Sequence, residues 1–434
     1  GAACSQAVPC SLYVGVTYAA NGDTIRLVAD EYHMTAATTP LDINHSNLTI
    51  EGPPGQTSAG DPLAFIIFNS AADGGAPDAT SKLRLLQSGT YFERVGITGK
   101  ADGAAAVVAG SAAGNHFNRV SIFNSGSADT LAGDAVGVTN SVINQYGPGS
   151  FGSAIDISGS ITGSLVYSHT GTAIAFRSQY HFAGNCSVVI RNTLAWGGNH
   201  NLLEDDTGGS GSNCASGAMS LNYDYSWIPN PGGGSLGGGI SHVGVSAPAP
   251  GTHNLPNSPA VFDPTAPGST YLSNYLLPAG SPAIDAGCTT GCGTEDVYGR
   301  PRPIGSANDI GPYEATLVPS VNSTAVSGAT ATTARLTASL NPNGDATSYG
   351  FQLRRAGAAS WDTVSTGNLT SSASASTVST EANLLTPGAT YEIRASALNS
   401  AGEATGPTVT FETSPPSVSL LSLKAVLSKR SAYL

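Results

Sequence analysis

Charged side chains and residues that favour helices are scarce in this sequence. Only 11% of the 434 residues are charged, while Gly (54) and Pro (26) are abundant. Because Gly, Pro and β-branched residues disfavour helices, the composition predicts many short strands and turns and excludes a helical bundle. The sequence also lacks any apolar run of the about 18 residues needed to cross a bilayer, so we expect no membrane insertion.

Cations are scarcer than anions. The chain has 17 Lys and Arg against 29 Asp and Glu, which gives a net charge of −12. Such a chain would repel nucleic acid and anionic lipid surfaces, so a nucleic-acid-binding function is excluded. With 40% hydrophobic residues the chain is not disordered by composition, and its length predicts two or three domains.

The six cysteines lie in three pairs that are close in sequence: Cys4 and Cys10, Cys186 and Cys214, and Cys288 and Cys292. None of these spacings matches a zinc site or a haem attachment motif. An even number of paired cysteines predicts three disulfides in a secreted, extracellular protein. No signal peptide is visible, so we expect the chain to begin after such a segment has been removed.

Short strand-like segments repeat between residues 46 and 227. They begin at Val95, Val120, Val142, Leu165 and Leu194, and successive starts are 25, 22, 23 and 29 residues apart. Repeats of this length predict a solenoid, in which stacked rungs bury a shared core. A further set of segments, residues 135–138, 154–157 and 173–176, is spaced 19 residues apart and predicts a second strand in each rung.

Small polar residues recur beside these segments. The recurring asparagines are Asn118, Asn140, Asn192 and Asn222. We expect their side chains to stack at one turn of the solenoid and to hydrogen-bond along its axis. The small hydroxyl residues Ser121, Ser141, Ser164 and Thr193 are expected to face outward.

These features resemble the right-handed parallel β-helix family. Three motifs near the C-terminal end strengthen the resemblance: Ser-Pro-Ala-Ile-Asp-Ala-Gly at residues 281–287, Asp-Val-Tyr-Gly-Arg-Pro-Arg-Pro at 296–303 and Asn-Asp-Ile-Gly-Pro-Tyr-Glu at 308–314. Together they resemble the end of bacterial surface β-helix proteins with variable cell-surface anchors. The resemblance covers about residues 11–315 and implies a cell-surface location. We expect the motifs to cap the solenoid end, where a strand edge would otherwise be open.

The remainder of the chain predicts a second domain and a tail. Alternating runs at residues 334–340, 348–353 and 390–397 predict strands, and residues 385–391 resemble part of a fibronectin type III domain. The predicted fold is therefore all-β. It comprises a β-helix over residues 1–315, a fibronectin type III-like β-sandwich over 316–413 and an apolar, basic tail over 414–434.

Candidate catalytic residues are few. The best cluster combines Asp156 and Arg177 with His169 and His181, which the repeat places on adjacent rungs. A glycosidase needs two carboxylates on one face, and a lyase needs a cationic base beside a carboxylate neutralised by calcium. The residue series of β-helix polygalacturonases and the Arg-Pro motif of pectate lyases are not reproduced. We therefore expect no potent polysaccharide-degrading activity, with a polysaccharide lyase or glycoside hydrolase as the alternative.

Two binding sites are predicted around the loop between Cys186 and Cys214. The predicted oxygen ligands for calcium are Glu204, Asp205, Asp206 and Asp224, and no other cofactor is expected. A loop held by its disulfide is the alternative. Tyr223, Tyr225 and Trp227 alternate along one strand. They would either stack on sugar rings of an extracellular polysaccharide or be covered by the Pro-rich loop that follows.

The sequence therefore leaves several functions open. A structural or adhesive cell-surface protein is favoured by the low charge, the disulfides and the incomplete catalytic series. A non-catalytic carbohydrate-binding protein is a further alternative. The tail carries six large apolar residues: Val418, Leu420, Leu421, Leu423, Val426 and Leu427. They either pack on their own molecule or add to the next one, which would build extracellular fibres through self-association.

Overall fold

The computed structural model describes residues 10–34, 40–55, 61–68, 82–99, 105–109, 113–147, 152–177, 186–205, 219–230, 240–243, 251–257, 276–278, 280–372 and 374–416. The chain divides into two compact units, Gly1–Ala315 and Thr316–Leu434. The described residues are almost entirely strands, turns and loops, as predicted, and among them no helix could span a membrane. The tail residues 417–434 lie outside the described residues.

The first unit stacks parallel strands into three ladders after one short helix, α1 (Leu12–Tyr18). The first ladder contains β3 (Leu41–Ile43), β6 (Leu83–Leu85), β9 (Val107–Val108), the start of β12 (Leu131–Thr139), the start of β14 (Ser153–Thr162), β16 (Thr172–Arg177), β19 (His200–Asp205) and β21 (Ile240–Val243). The second contains β1 (Thr24–Arg26), β4 (Thr49–Glu51), β7 (Tyr91–Glu93), β10 (His116–Asn118), the ends of β12 and β14, β17 (Ser187–Arg191) and β20 (Ser220–Asp224). The third contains β2 (Asp30–Met34), β5 (Ala64–Phe68), β8 (Val95–Gly99), β11 (Ser121–Asn124), β13 (Val142–Gln145), β15 (Leu165–Ser168) and β18 (Leu194–Gly197).

Columns of apolar side chains hold the ladders together. In the first ladder, each member of one column pairs with the next: Leu83, Val107, Leu131, Ile155, Ile174 and Leu202. All of them are fully buried in one core cluster. Because a single rung cannot bury such side chains alone, the core exists only in the stack. This solenoid-like stacking confirms the prediction from the repeat.

The rung register differs from the predicted one in two places. Ser121, not Val120, pairs with Val142, so Asn118 lies beside Thr139 in a strand. Only Asn140 and Asn192 occupy the turn itself, with φ of 48° and 53°, a left-handed conformation that asparagine tolerates better than most residues. The predicted stack of four asparagines is therefore wrong.

The segments spaced 19 residues apart also differ in position. Val136 pairs with Gly159 in the second ladder, whereas Ile155 pairs with Ile174 in the first. The 19-residue spacing did not predict a bend within β12, where the register with β14 shifts between Gly133 and Val136. A single continuous strand thus serves two ladders.

The small hydroxyl residues are buried instead of facing outward. Ser121, Ser141, Ser164 and Thr193 are all fully buried. Ser164 Oγ donates to the Thr162 carbonyl at 2.8 Å and accepts the Ser141 N–H at 3.2 Å. The hydroxyls of Ser141, Ser164 and Thr193 hydrogen-bond backbone groups at the bend. Ser121 Oγ has no hydrogen-bond partner among the described residues, and none of the four side chains makes an exposed polar face.

The three C-terminal motifs cover a flank of the stack. Outward side chains of the third ladder, including Val142, Tyr167 and Leu194, form an apolar cluster with Val297 and Tyr313. Contacts along several rungs mean that the segment from residue 280 to 315 lies along the stack, so the predicted end cap is wrong. The large apolar residues on the outer side of this ladder need such a cover, because otherwise they would face water.

The second unit consists of two antiparallel sheets. One contains β22 (Ser320–Ser327), β23 (Ala334–Asn341) and β26 (Ser376–Ala382). The other contains β24 (Thr347–Arg355), β25 (Asp362–Leu369), β27 (Thr390–Asn399), β28 (Gly402–Thr405) and β29 (Val409–Glu412). Leu336 from the first sheet and Phe351 and Ile393 from the second are fully buried in one core. The alternating runs predicted as strands lie in β23, β24 and β27.

Candidate functional site

Asp156 and Arg177, the strongest catalytic candidates from the sequence, meet on neighbouring rungs. Arg177 Nη1 lies 3.1 Å from Asp156 Oδ2 and 3.8 Å from Asp129 Oδ2, while Nη2 donates to Ser153 Oγ at 2.7 Å. The Asp156 side chain is only 1% exposed and that of Arg177 is 13% exposed. The two candidates therefore lie in a largely buried ion-pair cluster.

Burial changes the protonation behaviour of this cluster. It raises the pKa of Asp129, although the Arg177 charge and hydrogen bonding with Ser153 act in the opposite direction. Burial also lowers the pKa of nearby His200, and the positive charge of Arg177 lowers it further. Asp129 and His200 were not among the residues predicted from the sequence, although Asp129 lies one rung from Asp156 and His200 lies one rung from Arg177.

The two predicted histidines do not complete this cluster in the described residues. His169 contacts other side chains instead: its Nδ1 lies 3.3 Å from the Tyr167 hydroxyl, and its ring is 5.1 Å from that of Tyr146. His181 lies outside the described residues. Among the described residues, the cluster therefore consists of the Asp156 and Asp129 carboxylates, which share the Arg177 guanidinium.

The predicted calcium ligands lie on different ladders. Glu204 pairs in register with Phe176 and is buried, and its Oε2 lies 2.8 Å from Nδ1 of His242. Asp224 in the second ladder contacts His253 at 3.1 Å. Burial alone would raise the pKa of Asp224, but hydrogen bonds with His253 outweigh it and lower this pKa.

Asp205 lies opposite Arg177 in the backbone register of β16 and β19, and Asp206 lies outside the described residues. Among the residues that are described, no group of three or more acidic, histidine or cysteine side chains is arranged to hold a metal ion. The described candidates alone therefore do not make up the predicted calcium site.

The predicted sugar-stacking aromatics are mostly covered. Tyr223 is 8% exposed and Trp227 is fully buried, because both side chains pack in hydrophobic clusters. These two side chains are therefore not exposed for sugar stacking, and most of the Pro-rich loop that was the alternative cover lies outside the described residues. Tyr225 occupies the turn with φ of 49°, and its ring stacks on His253 with centroids 4.3 Å apart.

A cavity of about 260 Å³ lies beside the second ladder. It is lined by Tyr91, His116, Phe117, Asn118, Arg119, Thr139, Asn140, Gly293, Thr294 and Glu295. The first seven come from successive rungs, and the last three come from the segment that covers the flank. The 25-residue separation of Tyr91 and His116 equals one rung spacing of the repeat, so their adjacency was visible in the sequence, but the other wall was not.

The predicted disulfides are supported as far as the described residues extend. Cys288 and Cys292 form a disulfide within the flank-covering segment. Cys10 and Cys186 are each disulfide-bonded to a partner outside the described residues. Cys4 and Cys214 are themselves outside the described residues.

Comparisons with known proteins identify no family. No protein-family model matches the chain, and no curated protein matches it. Among solved structures, the sensor domain of the anti-sigma factor RsgI4 in Pseudobacteroides cellulosolvens is 17% identical, with 24% of this chain and 98% of that one covered and a TM-score of 0.20.

Two further solved structures match most of this chain. A cell-surface-expressed multi-modular chitinase, ChiW from Paenibacillus, is 10% identical, with 91% of this chain and 24% of the chitinase covered (TM-score 0.15). Tailspike protein 4 of bacteriophage CBA120 is 11% identical, with 90% and 64% covered (TM-score 0.17). Scores this low carry no functional argument.

Proposed function

We propose that the chain is a secreted structural or adhesive cell-surface protein, built from a right-handed parallel β-helix and a fibronectin type III-like domain. The observation that carries the proposal is that charged side chains of the first unit form ion pairs between adjacent rungs. Arg84 pairs with Asp42 at 2.6 Å and Arg119 with Glu93 at 2.5 Å, each across adjacent rungs. Arg177 and Asp156 repeat the arrangement. Ion pairs that join adjacent rungs make the stack more rigid, which suits a structural role.

The second unit supports the fibronectin type III-like part of the proposal. Tyr391 is buried near the start of β27, and its hydroxyl accepts the Thr386 N–H at 3.0 Å. A tyrosine that hydrogen-bonds a few residues upstream in this way resembles the tyrosine corner of such β-sandwiches. Domains of this kind commonly serve as spacers or binding modules, which suits a surface protein.

Disulfides support the extracellular location. The bond between Cys288 and Cys292, together with the bonded Cys10 and Cys186, suits an oxidising compartment. The flank-covering segment, which contains the first of these bonds, adds a second hydrophobic layer to the third ladder. Both features favour persistence outside the cell.

An adhesion assay tests this proposal. Beads that carry the purified full-length chain should adhere to bacterial cells or to extracellular polysaccharide more than beads that carry an unrelated acidic protein of similar charge. The same preparation should leave a panel of neutral and acidic polysaccharides without new reducing or unsaturated ends. Equal adhesion of both bead types would reject the adhesive role.

A second candidate, a glycoside hydrolase, is favoured by one observation. Asp156 and Asp129 lie 3.1 and 3.8 Å from the same Arg177 nitrogen, so their nearest oxygens are at most about 7 Å apart, and glycosidases keep their two carboxyl groups roughly 5–9.5 Å apart. Burial raises the pKa of Asp129, which suits a general acid.

The polysaccharide panel decides between the two candidates. Cleavage that is lost in both Asp129→Asn and Asp156→Asn, with folding unchanged, would establish the hydrolase. Asp42→Asn is the matched control, because Asp42 also pairs with an arginine one rung away but lacks a second carboxylate on that arginine among the described ion pairs. Cleavage that persists in all three variants would exclude this cluster as its source.

A further inference from the structure

The cavity beside the second ladder is a built site whose walls come from distant parts of the first unit. Tyr91, His116 and Asn118 contribute one wall, and residues 293–295 contribute the other. Arg119 joins the walls: its Nε and Nη2 donate to Glu93 Oε1, and its Nη1 donates to Glu295 Oε2. This ion-pair bridge holds the two walls at a defined separation.

Two buried amide oxygens at the cavity have no hydrogen-bond partner among the described residues. They are Oδ1 of Asn118 and Oδ1 of Asn140. The orientation of Asn118 is set by its Nδ2, which donates to Glu93 Oε2 at 2.7 Å. Asn140 is 95% buried. Because buried acceptors without partners are costly, these two atoms favour a ligand that brings hydroxyl donors.

The aromatic and electrostatic features of the cavity narrow the ligand class. The Tyr91 and His116 rings lie 6.1 Å apart and are tilted by 38°, which offers apolar ring surface next to the two amides. The Arg119 charge is already met by Glu93 and Glu295, so the lining has no spare cation for an anionic ligand. A neutral ligand with both C–H surface and hydroxyl groups fits this combination.

The size and opening of the cavity limit the ligand further. Its volume of about 260 Å³ is just below the roughly 300–1,000 Å³ of sites for drug-sized ligands, so it suits a single ring. His116 is exposed and the Glu295 side chain is half exposed, which leaves the cavity open to solvent on that side. A longer chain attached to the bound ring would leave through this opening.

We propose that this cavity binds one neutral sugar residue of a glycan. Hydroxyl groups of the sugar donate to Asn118 and Asn140, and one C–H face packs on Tyr91 and His116. The inference goes beyond the proposed function, because a sugar site requires neither adhesion nor a structural role. Loss of bead adhesion with sugar binding retained would reject the earlier proposal alone.

Ligand-observed NMR on the full-length chain tests the inference. The probes are the methyl glycosides of glucose, galactose, mannose and N-acetylglucosamine, with glucuronic acid as the anionic comparison. We expect saturation transfer to at least one neutral glycoside and none to glucuronic acid. Absence of transfer to every neutral glycoside, or equal transfer to glucuronic acid, would overturn the proposal.

Three variants locate the binding. His116→Ala removes one aromatic ring, and Thr139→Leu fills the cavity from the adjacent rung; each should weaken binding at least tenfold without a change in melting temperature. The control is His33→Ala, since His33 is an exposed histidine on a strand of the third ladder, outside the cavity lining. Wild-type affinity in both cavity variants would show that the sugar binds elsewhere and would reject the site.

Discussion

Arg302 Nε lies 3.3 Å from Glu314 Oε1, and both side chains are completely buried in the flank-covering segment. Arg302 Nη2 also donates to the Gly311 carbonyl at 2.6 Å, while Glu314 accepts the backbone N–H groups of Ile304 and Asp309. A buried pair of this kind is costly to break, because the remaining charge loses its partner.

We therefore predict that Arg302→Met destabilises the first unit by about 3–5 kcal/mol at pH 8. Chemical denaturation of the full-length chain, followed by a signal from the first unit, would measure the change. The control is Arg26→Met, because Arg26 pairs with Glu51 across adjacent rungs but its side chain is 77% exposed. Similar losses in the two variants would contradict the importance of burial.

The same segment predicts a pH dependence. Burial raises the pKa of Glu314 to about 7 and that of Asp309 to about 6. The folded protein therefore keeps protons that the unfolded chain has already released, so stability is greatest below the unfolded-state pKa values and falls as pH rises through 6 to 7. Glu314→Gln should remove on the order of 3 kcal/mol of this fall between pH 4.5 and about 8. Thermal unfolding at several pH values would show it, and parallel pH profiles for wild type and variant would contradict it.

Adjacent residues on β17 provide a test of the solenoid core. Ile190 is fully buried, whereas Val189 is 38% exposed. We expect Ile190→Ala to cost about 2–5 kcal/mol, because it leaves a cavity between stacked rungs. Val189→Ala should cost less than about 1 kcal/mol. Equal losses, measured by chemical denaturation, would mean that the side chains do not alternate as described.

Peptide mapping without reduction tests the disulfides. We expect Cys288 to be linked to Cys292, Cys4 to Cys10 and Cys186 to Cys214, with no alkylation of the denatured, unreduced chain. The close sequence spacing of each pair favours these links over others. Alkylation of Cys186 or Cys10 would contradict both the disulfides and the oxidising location.

The apolar tail predicts self-assembly. Deletion of residues 417–434 removes the six large apolar residues and should abolish fibres while both units keep their melting transitions. Electron microscopy and analytical ultracentrifugation of the full-length and shortened chains would compare them at equal concentration. Fibres from the shortened chain, or a full-length chain that stays monomeric at high concentration, would show that the tail does not drive assembly.

Local sequence patterns determined much of the fold. Alternation of apolar and small residues predicted the strands that begin at Val95, Val142, Leu165 and Leu194, because a strand with one face in a core needs this period. The rung spacing placed Asp156 near Arg177 for the same reason. The same alternation did not reveal that Ser121, and not Val120, lies opposite Val142. Backbone hydrogen bonds between the rungs set this register, and the order of side chains along one strand does not record it.

The sequence by itself thus determined the strand-rich fold, the stacked rungs and the bond between Cys288 and Cys292. Only the tertiary structure decided that the C-terminal motifs lie along a flank, because the cluster of Leu194 with Val297 and Tyr313 joins residues far apart in the chain. It also decided the cavity, whose two walls are joined by the ion pair of Arg119 and Glu295 across a separation of 176 residues. Periodicity records contacts one rung apart, whereas such long-range packing depends on the surface that the completed stack presents.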